Sequence, residues 1–139
     1  MQQQQIVLVK KTWKIFRDMD PVILGEVFYG KLFLDKPGLR KLFPKDMSAL
    51  YSKFTDMMST LVARLDQLEQ QKVELRALGL RHAQYGVKPD HHQAVGQALC
   101  WALKHGLGND WNNEVEEAWT ALYEYISENM IQSPSDIYV

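Results

Sequence analysis

The sequence predicts an all-α domain of roughly seven helices of unequal length. Three observations predict it. Apolar residues recur at spacings of three and four along most of the chain, and no segment alternates with period two for long enough to compete as a strand. No repeat period relates the helical segments, which argues for irregular packing rather than a symmetric four-helix bundle.

Ile6, Val9, Trp13 and Phe16 make one helical stripe at the N-terminus. Asp20–Pro21 is a start signal, an N-cap followed by proline at the first helical position. From there Leu24, Val27, Phe28 and Leu32 share a face up to about Asp35. Pro37 opens a short helix, and Pro44 ends it just after Phe43. Ser48 can cap the next helix, whose stripe is Leu50, Phe54, Met57, Met58, Leu61, Leu65 and Leu68. A further helix over about 72–84 carries Leu75, Leu78 and His82 in register, with Gly86 as its stop. Pro89–Asp90 starts a helix with Val95, Leu99 and Leu103 inward. GLGND, 106–110, is the clearest loop, and Asn109 or Asp110 can cap the last helix. That helix carries Val115, Trp119, Leu122, Ile126 and Met130. Residues 1–132 read as one domain and 133–139 as a tail or linker stub.

The bulk numbers narrow the function. A chain of 139 residues buries roughly two-thirds of its unfolded surface on folding. Hydrophobic residues make up 46% and charged residues 24%, as in ordinary globular domains. A net charge of −1 points neither to nucleic acid nor to an anionic membrane. The single cysteine, Cys100, allows no internal disulfide and fits a reducing compartment. No stretch approaches the ~20 apolar residues of a membrane span. The apolar run at 6–9 is too short for a signal-peptide core. The expected location is the cytoplasm.

Chemistry-bearing patterns are few. The four histidines, His82, His91, His92 and His105, contain no pair at the i, i+4 spacing of a helical zinc site. HExxH and the glycine-rich nucleotide fingerprints are absent. Glu116–Glu117 lies on a polar helix face and reads as solvated surface. His82 is different, because it continues the stripe of Leu75 and Leu78 and should face inward. A histidine on an apolar face is usually a satisfied core residue. It is also the commonest axial donor to iron in a large apolar cofactor. On spacing alone both readings stay open.

Three stretches carry a family resemblance. They are VFYGKLFLDKPGLRKLF, 27–43; ALGLRHAQYGVKP, 77–89; and the pair VGQAL, 95–99, with AWTALY, 118–123. In order and spacing they resemble the globins over nearly the whole chain. The likeness is greatest to bacterial single-domain haemoglobins and the globin part of flavohaemoglobins. The resemblance implies a globin fold of seven to eight helices around a haem b pocket. It makes His82 the proximal iron ligand, its second ring nitrogen donating to a backbone carbonyl or a nearby acceptor. Phe43 would pack on the haem face, and Tyr29 would donate to bound dioxygen. Phe54, Leu78, Val87, Val95 and Leu99 would line the pocket; each is equally a plain core residue.

The chain also departs from the family pattern. The distal-helix position falls on Leu50, where most relatives carry histidine or glutamine. Leucine neither donates to a ligand nor coordinates iron, so Tyr29 becomes the main polar group on that side. Tyr51 and Lys53 are the neighbouring alternatives at that position, with Lys53 read as meeting a haem propionate or solvent. In flavohaemoglobins a tyrosine and a glutamate flank the proximal histidine; here the matching places are His92 and the region of Pro134, so the acid is missing.

The function implied is reversible binding of a diatomic gas. Dioxygen is foremost, with nitric oxide or carbon monoxide as other ligands, in a monomer or weak homodimer. Conversion of nitric oxide to nitrate would need a separate reductase. The alternatives are a gas-sensing domain of a larger signalling protein and a haem-free helical interaction module. Peroxidase chemistry ranks low, because Leu50 supplies no distal base.

Overall fold

The computed structural model describes residues 1–130 and is all-α, with no strand among them. Six α-helices run in order along the chain: α1 Gln3–Arg17, α2 Pro21–Asp35, α3 Ser48–Ala63, α4 Lys72–Gln84, α5 His91–Leu107 and α6 Asn113–Met130. Tighter 3-10 turns occupy Pro37–Leu42, Leu65–Gln71 and Gly108–Asp110. The expected domain boundary after residue 132 lies outside the described residues.

Local chemistry sets most boundaries. Asp20 caps α2, its carboxylate accepting from the Val22 amide at 3.0 Å, with Pro21 at the first helical position. α3 starts differently from the expectation. Met47 holds the cap position, and Asp46 rather than Ser48 supplies the side-chain acceptor, taking the Ser48 amide at 3.0 Å and hydroxyl at 2.7 Å. α6 likewise uses Asn112, whose side chain accepts from the Val115 amide at 2.9 Å, in place of Asn109 or Asp110. The expected 106–110 loop shortens, because α5 runs on through Leu107 and Gly108 bends the chain.

The helices cross rather than align. α2 packs against both α3 and α5, while α6 packs against α1 and α4. The core sits between these pairs. Val9, Trp13 and Phe16 of α1 and Trp119 and Leu122 of α6 are almost fully buried, and the Trp13 and Trp119 rings lie 6.0 Å apart. The polar atoms among them are paired. The Trp119 indole N–H donates to the Thr12 hydroxyl at 2.9 Å, and Thr12 donates onward to the Leu8 carbonyl at 2.8 Å. Trp13 donates to Ser59 of α3 at 3.0 Å. Beside this packed half, a cleft opens between α3 and α4.

Candidate functional site

His82 lies in the last turn of α4, half-buried. Its Nδ1 stands 2.8 Å from the carbonyl oxygen of Leu78, one turn earlier. A carbonyl only accepts, so Nδ1 carries a proton in this bond, and in the neutral ring Nε2 keeps its lone pair. That is the tautomer an axial metal ligand needs, held by a backbone partner. α4 then stops at Gly86, whose φ of +99 is in the left-handed region that glycine adopts without strain. A Cβ there would stand 3.2 Å from Leu42, so the end of α4 comes down onto the turn carrying Phe43.

A cluster of aromatic rings joins α2, α3 and the segment between them. Tyr29 and Phe33 of α2, Phe43, and Tyr51 and Phe54 of α3 form one cluster. The Tyr29 ring lies 5.6 Å from Phe43, 5.9 Å from Tyr51 and 6.1 Å from Phe54. Phe54 stacks at 4.3 Å on the buried Phe28, which anchors the cluster to the core. Burial pushes the Tyr29 phenol up to about 12, with the neighbouring Tyr51 adding to the shift. Tyr29 therefore stays a protonated donor at any ordinary pH. Arg40 holds Phe43 in place, because its guanidinium donates to the carbonyls of Phe43, Pro44 and Lys45 and lies over the Phe33 ring.

Between α3 and α4 is a cavity of about 330 Å³, lined by Asp56, Met57, Thr60 and Leu61 on one side and Gln71, Glu74, Leu75, Leu78 and Arg81 on the other. Met57 is 42% exposed, so it forms a lip of the cleft rather than part of the core stripe. Leu50 and Val87 are half-buried, Lys53 is exposed, and Leu99 is buried in the core, with Val95 packed against it. The fold thus brings Tyr29, Phe43 and Phe54 into one cluster and sets Leu78 beside His82, with Val87 donating its amide to the His82 carbonyl.

A second imidazole, His92, lies near His82. Burial holds His92 below the usual histidine range, and the neighbouring His82 and His91 act in the same direction. The backbone of His92 is fixed by Tyr123 of α6, whose hydroxyl donates to the His92 carbonyl at 2.5 Å. Tyr123 and Arg40 escape a reading of spacing. Tyr123 acts across 31 residues of chain, and Arg40 looks like a surface cation. Pro134, the region matched to the missing acid, lies outside the described residues.

The cleft between α3 and α4, the half-buried His82 on the Leu78 face of α4 and the aromatic cluster around Tyr29 are the features that bear on the family. The chain belongs to the globin family: the Globin model matches residues 26–130. It is 27% identical over 136 residues to a flavohemoprotein of Bacillus subtilis, covering 96% of this chain and 34% of that protein. It is 29% identical over 140 residues to an anaerobic nitrite reductase of Arabidopsis thaliana, covering 90% of this chain and 88% of that protein. The chain thus spans about a third of the length of the flavohemoproteins it matches. Among solved structures, a bacterial globin from Campylobacter jejuni superposes with a TM-score of 0.81 at 21% identity, covering 99% of both chains. A flavohemoglobin from Malassezia yamatoensis, solved with bound FAD and haem, gives 0.78 at 20% identity over 99% of this chain and 37% of that one. These superpositions establish the fold.

Proposed function

We propose that this chain holds haem b between α3 and α4, with His82 as axial ligand, and binds a diatomic gas on the opposite face. The observation that carries this is the His82–Leu78 hydrogen bond, which engages Nδ1 with the backbone and makes Nε2 the ring nitrogen left to ligate. The residues present fit the group. Met57, Leu61, Leu75 and Leu78 give the cleft an apolar lining, Phe43 and Phe54 add aromatic rings around Tyr29, the donor is an imidazole, and Arg81 at the cleft offers a cation suited to a propionate. Ferrous haem supplies the gas-binding site, and the chain supplies its surroundings. Phe43 packs against the cofactor, held there by Arg40. Tyr29 donates a hydrogen bond to the ligand from a wall that excludes water. Leu50 offers no polar atom, so no side chain at that position closes the sixth site.

Dioxygen is the ligand these features favour most, since it takes up negative charge on binding and gains most from a phenol donor. Nitric oxide entering the oxygenated pocket would be converted to nitrate, leaving ferric iron one electron short. A separate reductase would return that electron. The flavohemoproteins and the plant nitrite reductase among the relatives support gas and nitrogen-oxide chemistry of this kind. No helix among the described residues is long and apolar enough to cross a membrane. We place the protein in the cytoplasm, as a monomer or weak homodimer with its globin unit ending near residue 132.

Rapid mixing of the oxygenated, haem-loaded chain with nitric oxide tests the chemistry. Stoichiometric nitrate and ferric haem are expected. An oxygenated spectrum that persists in the presence of nitric oxide would remove the nitrate-forming step and leave gas binding alone.

A further inference from the structure

The chain concentrates positive charge on one segment. Residues 36–53 hold five cations, Lys36, Arg40, Lys41, Lys45 and Lys53, against one carboxylate, Asp46, in a chain of net charge −1. The rest of the chain therefore carries the negative excess. Lys36, Lys41 and Lys45 are exposed, and none forms an ion pair or a side-chain hydrogen bond among the described residues. The carboxylates beside them are engaged elsewhere. Asp35 pairs with Lys31 at 3.1 Å, and Asp46 accepts from the amide and the hydroxyl of Ser48. Arg40 donates to the carbonyls of Phe43, Pro44 and Lys45, which holds the backbone between the lysines in one shape.

The position of this patch ties it to the site. Phe43, on the same segment, has its ring 5.6 Å from that of Tyr29. Leu42 lies under the end of α4, where a Cβ on Gly86, four residues after His82, would stand 3.2 Å from it. Tyr85, next to that glycine, is 71% exposed, and Leu34, two residues before Lys36, is 75% exposed. Free cations bordered by exposed apolar side chains match the anchors and charged rim of a protein interface. An extended polyanion, such as a membrane surface or a nucleic acid, would also meet the acidic remainder of the chain. A compact acidic patch on a protein would not.

We propose that Lys36, Lys41 and Lys45 dock the acidic surface of a one-electron donor protein, which returns the electron that nitrate formation removes. This rests on the haem-based reading above. One electron leaves the reduced donor and one arrives at ferric iron, giving oxidised donor and ferrous iron with no bond made or broken. The lysines steer the encounter and orient the complex, and they take no part in the transfer itself.

The test uses the full chain loaded with haem, and a plant-type ferredoxin, an acidic iron–sulfur protein, as the probe. Ferric chain and reduced ferredoxin are mixed under carbon monoxide, and the ferrous carbon monoxide spectrum reports each electron delivered. The wild-type rate is expected to fall about tenfold or more as added salt shortens the screening length from about 30 Å to about 8 Å. Combining Lys36→Glu, Lys41→Glu and Lys45→Glu is expected to slow the low-salt rate by about tenfold or more. Reduction by photoreduced lumiflavin, an uncharged donor, should match wild type and show that the pocket is intact. Binding is read separately, from the amide shifts of Lys36, Lys41 and Lys45 when oxidised ferredoxin is added to the ferrous carbon monoxide form. If the triple variant does not hold haem, the wild-type salt dependence and amide shifts decide. A wild type that ferredoxin neither shifts nor reduces, a rate indifferent to salt, or a triple variant as fast as wild type overturns this proposal and leaves gas binding standing. Phosphatidylserine vesicles that move the same amides where ferredoxin does not would make the patch a lipid surface and overturn it equally. Wild type that takes up no haem overturns both this proposal and the haem-based reading.

Discussion

The Nδ1 atom of His82 lies 2.8 Å from the carbonyl oxygen of Leu78, one helical turn earlier. This bond fixes the ring orientation and engages Nδ1, so the helix itself leaves Nε2 for the ligand role proposed for it. Losing an outer-shell partner typically weakens a metal site roughly 10- to 100-fold, and losing the ligand itself should exceed that. Haem titration of His82→Ala should show this larger loss. Added imidazole, which restores the missing donor, should recover the spectrum. Unchanged haem uptake by His82→Ala would return this histidine to the status of a core residue.

Tyr29 faces Phe43 and Phe54 and keeps its proton through burial. A hydrogen bond from this phenol to a ligand bearing partial charge is worth about 1.5–3 kcal/mol. Tyr29→Phe should therefore release dioxygen roughly tenfold to a hundredfold faster, read by stopped-flow displacement with carbon monoxide. A rate equal to wild type would place the phenol away from the ligand.

The same burial gives an alkaline signature. Below pH 10 neither the folded nor the unfolded chain ionises Tyr29, and the group adds nothing to the pH dependence. Between the ordinary value of 10.0 and about 12 the unfolded chain sheds the phenolic proton and the folded chain keeps it. Unfolding therefore becomes easier as pH rises through that window, by about 2 kcal/mol at its far end. Urea midpoints of the haem-free chain at pH 9 and 11 should fall more for wild type than for Tyr29→Phe. Equal falls would mean the phenol is solvated. Tyr123, also pushed up by burial, adds a parallel loss that both proteins share.

Thr12 joins α1 to α6 by accepting from the Trp119 indole and donating to Leu8. Thr12→Val keeps the shape and strands a fully buried N–H, since Trp119 is 0% exposed. The expected cost is about 1–3 kcal/mol in chemical denaturation, with gas affinity unaltered. A loss of gas affinity at unchanged stability would tie this distant pair to the pocket.

Much of the architecture is legible in the sequence because burying a helix face is a local demand. The stripes of Ile6 to Phe16 and Val115 to Ile126 land in the core, and Asp20–Pro21 starts α2 as its chemistry requires. Periodicity alone could not see where helix tightens into 3-10 turn. Leu65 and Leu68 continue the α3 stripe at a spacing of three, which fits either form, and they fall in the turn Leu65–Gln71. Met57 shares the apolar stripe yet forms the cleft lip, because amphipathic spacing does not reveal where a cavity opens. The site depended on resemblance for Tyr29 and Phe43, which sit off or beyond their stripes. The bonds that hold the site cross long stretches of chain. The hydrogen bond from Tyr123 to the His92 carbonyl leaves no pattern in a single sequence.

The most direct test is a haem titration of the purified chain, with absorption spectra in the ferric, dithionite-reduced and air-exposed states. One haem per chain, a single broad visible band on reduction, and a stable split pair of bands in air would meet the account, with His82 on one face and an open ligand site on the other. No stoichiometric uptake, or two sharp bands on reduction from a second protein ligand, would contradict it.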